Sequence, residues 1–300
     1  MKKGIGKAHS KIILLGEHSV VYGYPAIAVP LKNIEIKCEI LESKTNFCCN
    51  ENDTLSVAIF TALKYLKKEK EKIKYSIKSE IPPKRGMGSS AAVSIAAVRA
   101  VFDYFNQKIE TDLLEKLVNV AETTAHQNPS GLDAKTCLSE KPIKFIKNKG
   151  FSYIDINLGA YLLIADSGIY GNTREAVEKV RNLGENAKEP LKNLGELTEK
   201  FESLIKNKFE TEKVKKIGQI MTNANDELKK IGVTIEKTEM LVEKALENGA
   251  SGAKISGGGL GGCIIALCKS QKIAEKVKKI LAELEKKFGE PKCALEFKTP

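Results

Sequence analysis

The chain is predicted to be an α+β protein of two domains, on three observations. Strand-like segments crowd its first half and helical segments its second, without the regular strand–helix alternation of a parallel sheet. Neither GxxxxGKS/T nor a GxGxxG opening a strand–helix–strand unit occurs, which disfavours P-loop and Rossmann folds. With 300 residues, 42% hydrophobic and 29% charged, the chain is globular and long enough for two cores. The texture changes near residue 155, so the domains are placed at 1–155 and 156–300.

The elements follow in order. Lys11–Leu15, Ala26–Pro30 and Ile34–Glu42 read as strands from β-branched enrichment and alternation. Asp53 is placed to cap a helix over Thr54–Leu66. Tyr75–Ile81 alternates and stops at Pro82-Pro83. Ser90–Phe105 is apolar nearly all round, which predicts a buried helix. Asp112–His126 puts Leu114, Leu117, Val118, Ala121 and Ala125 on one face, and Asn128-Pro129-Ser130-Gly131 breaks it. Ser152–Leu158 and Tyr161–Asp166 read as a strand pair around Gly159. Helices are then predicted over Thr173–Leu183, Leu194–Lys206, Val214–Lys230 and Ile235–Asn248. A glycine-rich segment Gly252–Gly262, strand Cys263–Cys268, helix Gln271–Phe288 and strand Cys293–Phe297 close the chain.

Composition excludes several classes. The net charge of +11 invites a nucleic-acid partner, yet only four of the 49 basic residues are Arg and Trp is absent. Readers of nucleic acid lean on Arg forks and aromatics, and these lysines alternate with glutamates as on solvated helix faces. No nucleic-acid partner is therefore expected. Seven scattered cysteines include no CxxC pair, which points to free thiols in a reducing cytoplasm. No run approaches the roughly 20 apolar residues of a membrane span, so a soluble cytoplasmic protein is expected.

Three segments carry chemistry. Pro82-Pro83-Lys84-Arg85-Gly86-Met87-Gly88-Ser89-Ser90-Ala91-Ala92 sets glycines and serines directly before an apolar helix. Such a segment is either a plain turn with a Ser N-cap or an anion cradle, where backbone N–H groups and the positive helix end meet phosphate. Lys84 and Arg85 add charge of the right sign for a polyphosphate. Lys11 at the head of a strand is followed by Gly16-Glu17-His18. That Lys reads as a snorkelling surface residue or as a buried one beside a small hydroxylated anion. Asp133, after Ser130-Gly131, reads as a helix cap or as a base beside Lys11, and Glu122 with Ser90 as surface groups or as oxygen ligands for Mg²⁺. Lys254-Ile255-Ser256-Gly257-Gly258-Gly259-Leu260-Gly261-Gly262-Cys263 holds five glycines in six positions, as a flexible hairpin or a backbone that must approach something closely.

Together the three segments, Lys11–Gly23, Gly86–Ala92 and Lys254–Cys263, resemble in order the three motifs of the GHMP small-molecule kinases. Gly16-Glu17-His18-Ser19-Val20-Val21-Tyr22-Gly23 resembles the mevalonate-phosphorylating branch, not the GEHTDY of the galactose branch. The resemblance implies an S5-domain-2-like N-terminal domain, a ferredoxin-like C-terminal domain and a site in the cleft between them. It implies ATP-dependent phosphorylation of the 5-hydroxyl of (R)-mevalonate, with Asp133 as base and Lys11 as its charge partner. Lys84, Arg85, Gly86, Met87, Gly88, Ser89 and Ser90 would bind ATP, and Ser90 and Glu122 would hold Mg²⁺. Glu17, His18, Thr173, Ser256, Gly257 and Gly258 would line the mevalonate pocket. A cytoplasmic homodimer is implied as well. Alternatives are another kinase of the family, acting on phosphomevalonate for instance, or a non-catalytic sensor on the same fold. A sensor would have lost Lys11, Asp133 or Glu122, and all three are present. The chain departs from the family pattern at Ala8-His9-Ser10-Lys11, where Ala-Pro-Gly-Lys is usual, at Met87, at Tyr22 and at Leu260.

Overall fold

A computed structural model describes residues 2–125, 130–206, 212–287 and 295–298. The chain packs into two compact units that are discontinuous in sequence. The first comprises Met1–Lys11, Pro30–Pro83 and Met87–Glu140, and the second Ile12–Val29, Lys84–Gly86 and Lys141–Pro300. The linear boundary expected near 155 is thus not the one that packing draws. Two long strands, β1 (Lys3–Leu15) and β2 (Pro25–Glu42), change unit midway, and the Lys84–Gly86 segment changes unit for three residues.

In the first unit, β2 pairs antiparallel with β3 (Ile73–Ser79), from Ile36 opposite Ser79 to Glu42 opposite Ile73. Four helices accompany these strands: α1 (Thr54–Tyr65), α2 (Ser89–Tyr104), α3 (Thr111–Ala125) and α4 (Leu132–Leu138). Asp53 caps α1 as predicted, its carboxylate accepting from the Ser56 amide at 3.0 Å. α2 is buried nearly all round, from Ala91 to Tyr104, because α1, α3 and α4 all pack on it. Leu114, Leu117, Val118 and Ala121 form the buried stripe of α3. The Ala125 side chain, His126 and the Asn128-Pro129 part of the predicted break lie outside the described residues. β1 lies so close to α2 that a Cβ on Gly6 would stand 2.0 Å from the Ala96 carbonyl oxygen, and one on Gly4 2.3 Å from that of Ala100.

In the second unit, β4 (Ile143–Ile146) pairs with β2 and with β5 (Gly150–Tyr153). A separate four-stranded antiparallel sheet holds β6 (Tyr161–Asp166), β7 (Gly252–Ser256), β8 (Cys263–Cys268) and β9 (Leu295–Lys298), in the spatial order β7-β8-β6-β9. Its helices are α5 (Thr173–Asn182), α6 (Lys188–Lys206), α7 (Lys213–Lys230), α8 (Glu236–Glu247) and α9 (Gln271–Lys287). Strand, helices, two strands, helix, strand is the ferredoxin-like order, with several helices in the first crossover. α7 and α8 pack on β7, and α9 on β6 and β8.

The expected strand pair around Gly159 does not form. β5 ends at Tyr153 and pairs with β4, whereas β6 pairs with β8 and β9, so the two segments belong to different sheets. Ala26–Pro30 and Ile34–Glu42 are one strand, not two. Among the described residues, no helix is long and apolar enough to cross a membrane.

Because a side chain on Gly6 would meet helix backbone, Gly6→Ala is expected to lower stability by about 1–3 kcal/mol. Ile5→Ala, at an exposed position beside it, should change it by less than about 0.5 kcal/mol. Urea unfolding of both variants checks the contrast.

Candidate active site

In the first unit, Lys11 is wholly buried near the middle of β1. An ammonium without water needs a counter-charge, and its Nζ lies 2.7 Å from Asp133 Oδ1. The Asp133 side chain is 39% exposed, so that carboxylate is reachable from outside while its partner is not. Asp133 stands in the first turn of α4, after Gly131 at φ 86°. α4 is itself tied to α3 by Lys135 and Glu115 at 2.6 Å.

Gly88 precedes α2 at φ 72°, and a Cβ there would lie 2.9 Å from Lys11 Cγ and 3.0 Å from Cys137 Sγ. Only glycine fits both the left-handed backbone and the space. No side-chain cap bond is made at the start of α2, where the positive end of the helix favours an anion. The Met87 carbonyl is turned the other way. It accepts from the Lys11 amide at 3.2 Å and from the Ser10 hydroxyl at 2.8 Å. Ser10 was legible in the sequence only as a departure before the lysine; its hydroxyl here anchors the loop.

At the second residue of α2, the Ser90 hydroxyl donates to Glu122 Oε1 of α3 at 2.7 Å. Burial pushes the Glu122 carboxyl up to about 7, the Ser90 hydrogen bond opposing and the Asp133 charge adding to the rise. Two oxygen atoms and a buried carboxylate short of positive charge suit a hard divalent cation. Among the described residues no group of three or more His, Cys, Asp or Glu gathers to hold a metal, so a cation here would draw its remaining ligands from water and phosphate. Cys137, buried nearby, is no nucleophile: burial drives its thiol strongly upward.

In the second unit, Gly16 turns at φ 98° into Glu17 and His18, ahead of a 3-10 turn over Ser19–Tyr22. Glu17 is 1% exposed and pairs with the wholly buried Lys254 of β7, whose Nζ also donates to the Ile255 carbonyl at 2.6 Å. His18 adopts φ 58°, rare for a side-chain-bearing residue. Its Nε2 lies 2.9 Å from the Gly258 carbonyl. A carbonyl only accepts, so Nε2 carries the proton and Nδ1 is left as an acceptor. Burial lowers the His18 pKa to about 4, helped by the Lys254 charge and opposed by the Gly258 bond, and the ring is neutral at pH 7.

The glycine segment closes the hairpin between β7 and β8 and approaches other backbone closely. Gly257 packs on Gly86, where a Cβ would lie 2.6 Å from the Gly86 Cα. Gly258 packs against Thr173, which opens α5 after its cap Asn172. The Leu260 amide donates to Val233 at 2.7 Å, Gly262 to Ile169 at 2.8 Å and Cys263 to Arg85 at 3.0 Å. The Ser256 hydroxyl both donates to and accepts from the Ile13 backbone at 3.1 Å, so it bridges β7 to β1. Arg85 is held within the second unit. Its side chain is buried, with Nε donating to Asp166 Oδ2 at 2.8 Å and Tyr170 stacked 4.4 Å away. Its Nη1 is buried with no hydrogen-bond partner among the described residues. Lys84, at φ 56°, accepts from the Gly171 amide through its carbonyl at 2.7 Å.

Two family profiles match the chain, GHMP kinases N terminal domain over residues 57–141 and GHMP kinases C terminal over 201–287. The chain belongs to the GHMP kinases. This GHMP kinase is 31% identical to a mevalonate kinase of Thermococcus sibiricus, over 91% of its own length and 92% of that relative's. Its structure matches a mevalonate kinase from methicillin-resistant Staphylococcus aureus at 30% identity and TM-score 0.74, covering 100% of this chain and 99% of the other. It matches the Methanococcus jannaschii mevalonate kinase at 28% identity and TM-score 0.78, covering 98% and 96%. The ferredoxin-like sheet and the α+β fold expected from the sequence agree with these likenesses.

His18 makes the site sensitive to acid. The unfolded chain takes up a proton there near 6.5 and the folded chain only near 4, so this group favours folding above that window and opposes it below. Glu122, with its raised value, biases stability the opposite way. The readout is therefore the difference in unfolding free energy between wild type and His18→Gln. It should grow by about 3 kcal/mol from pH 4 to pH 7, measured by urea unfolding at each pH.

Proposed function

We propose that this protein transfers the γ-phosphoryl group of ATP to the 5-hydroxyl of (R)-mevalonate. The observation that carries the reading is the Lys11–Asp133 pair beside the uncapped start of α2. Asp133 accepts the proton of the attacking hydroxyl. Lys11 pairs with that carboxylate and answers the negative charge that develops on transfer. Gly88, Ser89 and Ser90, with the positive end of α2, receive phosphate oxygens. Phosphoryl transfer asks for positioning, charge neutralisation and a base, and these residues supply each.

Ser90 and Glu122 are the residues that would hold Mg²⁺, whose charge would screen the ATP phosphates. The Glu17–His18 turn and the Gly257–Gly258 backbone are assigned to the alcohol. His18, neutral and with Nδ1 as acceptor, suits a hydroxyl donor. Thr173 and Ser256 act on that pocket by fixing Gly258 and β7 in place. The mevalonate kinase relatives support the substrate, and the four departures from pattern leave Lys11, Asp133, Glu122, Glu17 and His18 in place. The same reading includes a cytoplasmic homodimer. The free state of all six described cysteines supports a reducing compartment, and light scattering in solution tests the dimer.

ADP release with Mg²⁺-ATP over mevalonate, phosphomevalonate, homoserine and galactose tests the activity, with turnover expected on mevalonate. Turnover confined to phosphomevalonate would overturn the substrate. Asp133→Asn should lower kcat by about 10²–10⁴-fold while ATP binding, read by calorimetry, persists. Ordinary turnover by this variant would remove Asp133 as the base.

A further inference from the structure

Lys254 stood in the sequence as the opening residue of the glycine segment, with no role of its own. The structure buries it completely, 237 positions from its partner Glu17. Only one oxygen of Glu17 is bonded. Oε1 receives the Lys254 ammonium, and Oε2 is buried with no hydrogen-bond partner among the described residues. A carboxylate with one naked oxygen and 1% exposure depends heavily on that single positive charge. Glu17 is joined through one peptide bond to His18, whose left-handed backbone and Gly258 bond fix the ring. Lys254 and Gly258 lie four residues apart, in the middle of β7 and in the loop beyond it. Two ties therefore run between the same short segments: Glu17 to Lys254, and His18 to Gly258.

We propose that Lys254 is a positioning residue for the alcohol site: its ion pair with Glu17 holds the Glu17–His18 turn in register with the glycine loop, and so sets the orientation of the His18 ring. The inference rests on the assignment of that turn to mevalonate. Without the ammonium, the buried carboxylate gains stability by swinging out to water. The adjoining His18 then leaves its strained backbone conformation, and the Nε2–Gly258 bond is lost. Lys254 itself touches no substrate, so its removal acts on binding of the alcohol and leaves the Lys11–Asp133 pair in the other unit untouched.

The test is Lys254→Met, alone and combined with Glu17→Gln. The single variant should raise the KM for mevalonate by about 30-fold or more, with the KM for ATP changed by less than about 3-fold. In the Glu17→Gln background, adding Lys254→Met should cost less than about 3-fold further, because the two act as one unit. The double variant carries no unpaired buried charge, so it keeps the test open if Lys254→Met alone fails to fold. Ring ¹⁵N shifts of His18, assigned with His18→Gln, give a readout without substrate. Wild type should show a fixed Nε2–H tautomer, and Lys254→Met a tautomer mixture. A mevalonate KM within about 3-fold of wild type, despite lower thermal stability, would make Lys254 merely structural and overturn the proposal. Multiplying effects in the double variant, or an unchanged His18 tautomer, would overturn it too. If wild type fails to turn over mevalonate, the substrate assignment falls, and the tautomer measurement still decides the role of Lys254.

Discussion

A lysine with no water around it must meet a carboxylate, and both halves of this protein are organised by that demand. Lys11 and Lys254 are each buried on a strand and each paired with one acid. The acids differ in one respect that separates their uses. Asp133 is 39% exposed and Glu17 only 1%. A half-exposed carboxylate paired with a buried cation is open to a ligand. A fully buried one can only keep its own segment in place. The same kind of ion pair thus stands open to solvent in one unit and sealed from it in the other.

Burial then sets the protonation of the neighbours. It pulls His18 down to about 4 and pushes Glu122 up to about 7, so each is biased toward its neutral form. For His18 this leaves a ring with one donor already committed to Gly258 and one acceptor free for a hydroxyl. For Glu122 it leaves a carboxyl that a divalent cation would ionise, beside a serine oxygen at hydrogen-bond distance. The two residues need no special chemistry of their own. Their surroundings supply it.

The chain also answers its own departures from the family pattern. Ser10 stands where glycine is usual, and its hydroxyl anchors the Met87 carbonyl that the phosphate loop must turn away. Arg85 adds a charge next to that loop, and Asp166 and Tyr170 absorb it. Leu260 interrupts the glycines at φ 53°, and its amide is held by Val233. In each case a local irregularity is offset by one bond from a residue far along the chain.

What the sequence by itself determined is local and periodic. The apolar circumference of α2, the stripe of α3, the Asp53 cap and the apolar run of β6 are consequences of short-range sequence, and all were legible. So were the three glycine-marked motifs, because backbone conformations closed to other residues leave a compositional trace. The four-residue β4, with one lysine among its apolar residues, and the seven-residue α4 left no such trace. Nor could spacing show that Ser152–Leu158 and Tyr161–Asp166 belong to different sheets, since strand pairing depends on distant partners. The candidate residues Lys11, Asp133, Ser90, Glu122, Glu17 and His18 could be named in advance, but not their protonation, which follows from burial. Only the tertiary structure decided that Arg85 faces Asp166, that Ser256 bridges to Ile13, and that Lys254 neutralises Glu17. Those are contacts between residues 81, 243 and 237 positions apart, and no local pattern encodes which charge a folded chain will bury beside which.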